Sequence, residues 1–80
     1  MTKAEYGKCE KLMEEAINKV KAAAGEYQRY ELFLQNGDAI NAEVEQRKAD
    51  QHYGYAEGIN QALAVIGFKH DRMKELSKLL

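Results

Sequence analysis

The residues best equipped for chemistry lie around the middle of the sequence: Tyr27 and Tyr30, then Arg47, Lys48, Gln51, His52, Tyr53 and Tyr55. A guanidinium offers planar, fork-like donors and a tyrosine offers a ring face, so Arg47 stacked with tyrosines would hold an anionic nucleotide or cyclic nucleotide. Arginine and tyrosine are also enriched where proteins meet proteins, and the same cluster then becomes a partner-binding surface. A purely structural account needs no ligand: Glu43 pairs with Arg47 one helical turn away, the long stems of Arg47 and Lys48 lie along rings, and the tyrosine hydroxyls reach water. Of the functional accounts, the protein interface is preferred and nucleotide sequestration is the alternative.

Catalysis finds no comparable constellation. His52 and His70 are far apart in sequence, no Ser/His/Asp order presents itself, and Cys9 falls on an apolar seam where burial keeps a thiol inert. Glu10, Glu14, Glu15, Glu43, Glu45 and Asp50 lack the Glu-x-x-His pairs of di-iron bundles and read as a solvated helix face. The chain is therefore expected to be no enzyme, with no metal and no cofactor. With 12 basic and 13 acidic residues the net charge is -1, unlike the basic footprint of a nucleic-acid binder. The longest apolar run, Ala62 to Ile66, falls short of the roughly 20 residues a membrane span needs. Met1 to Glu5 lacks a signal-peptide core. One cysteine leaves no internal disulfide and suits a reducing compartment, so a cytoplasmic location is expected.

What positions these residues must be helical. Proline is absent and Ala, Glu, Lys, Gln and Leu dominate, the composition of long helices. From Tyr6 through Cys9, Met13, Ala16, Val20, Ala23, Tyr27 and Tyr30 to Leu34, apolar positions alternate steps of three and four, which predicts a helix over about 3–35. Leu12, Ile17, Ala24 and Phe33 widen that stripe beyond a two-stranded coiled coil. At 36–38, Asn-Gly-Asp combines a residue suited to the left-handed conformation with an N-cap, so the chain should turn and run back.

The second helix, about 39–66, is expected to face the first with Ile40, Val44, Arg47, Gln51, Tyr55, Ile59, Ala62 and Ile66. Two steps of four adjoin at Gln51, a stutter in the heptad. Hairpin register then sets Tyr27 opposite Arg47 and Ala23 opposite Gln51. Gly54, Gly58 and Ala62 form a row of small residues expected to pack near Val20, Ala16 and Leu12, and a helical glycine costs about 1 kcal/mol relative to alanine unless packing uses it. Gly67 followed by Phe68 reads as a helix stop, leaving a short third helix, about 70–80, that docks through Met73, Leu76 and Leu80.

The predicted architecture is one all-α domain over residues 1–80: a long antiparallel hairpin plus a short C-terminal helix. Eighty residues bury a limited core, so the stripes are expected to be completed by a second copy in a four-helix-type bundle, a homodimer or higher oligomer. The stretch from Tyr55 to Phe68, with Glu-Gly, then Ala-Leu and Ile-Gly-Phe, resembles the ending of small helical proteins of phages and prophages. That resemblance implies a compact accessory protein that binds and inhibits a host defence protein, and it carries no functional residue across. A structural or assembly component is a further alternative.

Overall fold

The computed structural model describes residues 1–80 and shows an antiparallel helical hairpin with a short third helix folded against it. Helix α1 spans Lys3–Gln35, α2 spans Ala39–Val65 and α3 spans Met73–Leu79. The molecule is a rod of 52 × 17 × 17 Å. At 1.5 Å per residue, α1 alone accounts for about 50 Å of that length.

Each boundary has a local cause. Thr2 opens α1 with a reciprocal capping box: its hydroxyl accepts from the Glu5 amide while the Glu5 carboxylate accepts from the Thr2 amide. Gly37, at φ 75°, closes α1; there the Asp38 amide donates to the Phe33 carbonyl at 2.8 Å and the Gly37 amide to the Leu34 carbonyl at 3.1 Å. A side chain at that φ would crowd the backbone, which is why glycine holds the position. Asp38 then caps α2, accepting from the Asn41 amide at 3.1 Å. The same closing motif recurs at Gly67, also at φ 75°, where the Phe68 amide donates to the Leu63 carbonyl at 2.9 Å. Gly67 thus breaks the helix, and α3 starts at Met73 after a turn through His70.

The core fills the half of the rod remote from the hairpin turn, where three helices meet. Cys9, Met13, Ala16, Ile17 and Val20 of α1 pack with Ala56 and Leu63 of α2, Phe68, and Leu76 of α3. Ile59, Met73 and Leu80 close its edge, so α3 docks through the three residues its periodicity proposes. Toward the turn only two helices are present, and the buried residues there are Ala23, Ala42, Ala49 and Glu26.

The face of α2 toward α1 differs from the predicted one. Its buried residues are Ala42, Ala49, Ala56 and Leu63, spaced by seven. Of the expected seam only Ile59 joins the core; Ile40, Val44, Tyr55 and Ile66 are exposed. The reason is volume. Helix α1 supplies Met13, Ile17 and Val20, so alanines opposite let the helices approach while the interior keeps its density. The α1 stripe holds from Cys9 to Ala23; before it Tyr6 is exposed, and beyond it Glu26 is buried while Tyr27 and Leu34 emerge at the surface. Leu12, a flank of that stripe, is also exposed.

Candidate functional site

The helices distribute the polar and aromatic cluster over separate faces. The Tyr27 hydroxyl donates to Asp50 Oδ1 at 2.6 Å, so Tyr27 faces Asp50 and not Arg47 as the register had suggested. Arg47 points away from α1, where its Nη2 donates to Glu43 Oε1 at 2.5 Å, the i,i+4 pair of the structural account. Lys48 lies 3.9 Å from Glu45, whose other oxygen accepts from Arg29 Nε at 3.2 Å. Gln51 is exposed rather than opposite Ala23. No stack of Arg47 with Tyr27 or Tyr30 forms, because Arg47 occupies the outer side of α2 and Tyr30 stands half-buried on α1.

The remaining members brace the hairpin. Tyr53 donates its hydroxyl to the carbonyl of Leu80, tying the end of α3 to the middle of α2. Tyr55 donates to Glu15 Oε1 at 3.0 Å, and Lys19 Nζ sits 5.7 Å from the centre of its ring, within cation-π range. Donation to a carboxylate favours the neutral phenol, so the Tyr27 and Tyr55 hydroxyls are both held above the ordinary tyrosine pKa, by Asp50 and Glu15 respectively. His52 Nδ1 lies 2.5 Å from Glu26 Oε1. Glu26 is only 4 % exposed, and its second oxygen has no hydrogen-bond partner.

A second polar group clamps α3. Arg72 Nε donates to Glu75 Oε2 at 3.1 Å, and Lys21 Nζ lies 3.7 Å from Glu75 Oε1. The Arg72 guanidinium beside it, aided by Lys21, holds the Glu75 carboxyl below its usual range. His70 stacks near Tyr6 and Phe68, with ring centres 6.2 and 5.9 Å away. Its Nδ1 accepts from the Arg72 amide at 3.0 Å, so Nε2 carries the hydrogen and donates to Glu10 at 3.0 Å. Both histidines therefore serve as hydrogen-bonding links between elements.

The row of small residues is placed differently from expectation. Gly54, Gly58 and Ala62 are exposed, and a Cβ added at Gly54 or Gly58 would meet no atom within 4 Å. They do not approach Val20, Ala16 or Leu12. Instead they share the outer side of α2 with Ile40, Val44 and Val65, all exposed. The alanines at 42, 49 and 56 are the small residues that contact α1, and their spacing of seven was the signal for it.

A shallow hollow of about 410 Å³ beside Met1, Glu5, Lys8, Cys9 and Ile66 is the molecule's concavity. No three His, Cys, Asp or Glu side chains converge as metal ligands do. No helix is long and apolar enough to cross a membrane. Comparison with protein-family models, curated proteins and solved structures yields no match.

Proposed function

We propose that the chain is a non-enzymatic helical interaction module that associates with itself and presents its remaining apolar and tyrosine-bearing surface to another protein. One observation carries this reading: twelve large apolar or tyrosine side chains are exposed, against six large apolar side chains buried, Met13, Ile17, Val20, Leu63, Phe68 and Leu76. Single exposed apolar residues are ordinary, but a surface richer in them than the core beneath it marks association sites. The foreign-protein surface we assign to Tyr27, Tyr30 and Leu34, which lie together by helical phase near the turn, where α2 opposes them with the small Ala42 and Ala49. The phage-type resemblance of Tyr55 to Phe68 supports the narrower role of an accessory protein that inhibits a host defence component.

Affinity capture from a bacterial lysate tests the reading. A tagged chain should retain one protein in stoichiometric amount, and the double change Tyr27→Ala/Tyr30→Ala should release it. A chain that retains nothing, or whose catch is unchanged by the double substitution, refutes the assignment. Nucleotide sequestration has less support, since Arg47 is engaged with Glu43 on the far side of α2 from Tyr27.

A further inference from the structure

Helix α2 carries a second seam on the side turned away from α1. Starting at Ile40, its members Val44, Arg47, Gln51, Tyr55, Gly58 and Ala62 follow at steps of four, three, four, four, three and four, with Tyr55 at the margin, its hydroxyl reaching back to Glu15 of α1. At 100° per residue they fall within an arc of about 80°, roughly 150° around the helix from the alanine contact with α1. The step pattern reads the same from either end, with Gln51 at its centre. Gly37 and Val65, three residues beyond the two ends, continue the symmetry.

We propose that this face is where two copies of the chain meet, α2 against α2, antiparallel, about a two-fold axis passing beside Gln51. Such an interface is isologous, so each contact occurs twice with the copies exchanged. Ile40 lies over Ala62 of the partner subunit, Val44 over Gly58 of the partner subunit, and Val65 over Gly37 of the partner subunit. Every bulky apolar residue of the seam therefore meets a small one. Arg47, paired with Glu43 of its own helix, comes level with Tyr55 of the partner subunit at the margin of the contact, and Gln51 meets its own copy on the axis. This placement specifies the surface behind the self-association in the functional reading, and it rests on that reading.

Surface area argues for a second copy of this size. The chain exposes 5610 Å², whereas a compact monomer of 9.1 kDa exposes about 4,900 Å² by the scaling of surface with mass. The surplus, about 700 Å², is surface that the rod of 52 × 17 × 17 Å leaves uncovered when alone, and a second copy along one long face can cover it, since each partner in a standard interface contributes roughly 800 Å². The two most exposed large aliphatic side chains, Val65 at 86 % and Ile40 at 80 %, both lie on this face toward opposite ends of it. Pairing also accounts for Gly58. A Cβ added there would meet no atom within 4 Å in one copy, yet a helical glycine costs about 1 kcal/mol relative to alanine; a neighbouring backbone with Val44 inserted gives it a use.

Two measurements test the arrangement. Sedimentation equilibrium of the unmodified chain should return twice 9.1 kDa, 18.2 kDa, and Gly58→Leu should return the monomer while keeping its helical circular dichroism, because the added side chain enters open space within one copy. Gln51→Cys should cross-link the dimer under mild oxidation, whereas Gln46→Cys, on another side of α2, should not. A monomeric unmodified chain at a hundred-micromolar concentration, on that order, overturns the pairing and the self-association together, even where the face captures a foreign protein. A dimer that survives Gly58→Leu, or whose Gln51→Cys form stays uncross-linked, overturns this face alone and leaves self-association standing.

Discussion

Replacing Glu26 by methionine should make the protein more stable. Glu26 sits on the α1 face that meets α2, one turn beyond Ala23, with one oxygen 2.5 Å from His52 and the other unpartnered. The substitution removes one hydrogen bond, about 1 kcal/mol net between neutral partners and up to about 3 kcal/mol when one is charged. In return it removes a desolvated, unpartnered oxygen, which costs about 1–3 kcal/mol and more when charged. Glu26 already buries its two methylenes, so methionine adds only a sulfur and a methyl group, about 1–2 kcal/mol of further apolar burial at roughly 0.8 kcal/mol per carbon-sized group. His52 is one-third exposed and can bond to water once its partner is gone. The balance is about 1–3 kcal/mol in favour of the variant, and at about 4–8 °C per kcal/mol for a chain this size the melting temperature should rise by roughly 4–24 °C. Thermal unfolding followed by circular dichroism at fixed protein concentration measures it. A fall of more than about 4 °C would show that the Glu26–His52 pair stabilises the fold outright, contrary to this reasoning.

Two further expectations follow from the same contacts. Leu76→Ala empties a fully buried position beneath α3, and a loss of about 2–5 kcal/mol is expected, a large share of the roughly 4–12 kcal/mol available to eighty residues; a denaturant midpoint unchanged within error would mean that α3 does not stabilise the hairpin. The Tyr27 and Tyr55 hydroxyls, raised by Asp50 and Glu15, bind their protons more tightly folded than unfolded, so what they add to stability is whole below the unfolded tyrosine value of about 10 and disappears as pH climbs through the folded value. Tyrosinate absorbance should therefore appear late for two of the five tyrosines, and Asp50→Asn should bring Tyr27 back toward its ordinary range; a titration unaltered by that change would contradict the Tyr27–Asp50 bond.

The hairpin was readable because its signals are large or unambiguous. Nine apolar positions from Tyr6 to Leu34 hold one phase, and glycines at 37 and 67, both at positive φ, stop their helices where the pattern says they should. The orientation of α2 was not readable by the same method, since a search for bulky residues finds Ile40, Val44, Tyr55 and Ile66 and passes over alanines. Alanine buries little area and so weighs little in any hydrophobic pattern, yet it decides how near two helices come. Ala42, Ala49 and Ala56 face α1 for that reason. The error carried into the candidate site. Once α2 is turned, Arg47 parts from Tyr27, and Gly54 and Gly58 move from the interior to the outer surface.

The proportions of the rod bear on how its assembly is counted. A body about three times longer than it is wide drags more solvent than a sphere of equal mass. On a sizing column calibrated with globular standards, one copy would elute early and pass for a pair, whereas a method that weighs particles irrespective of outline would not be misled.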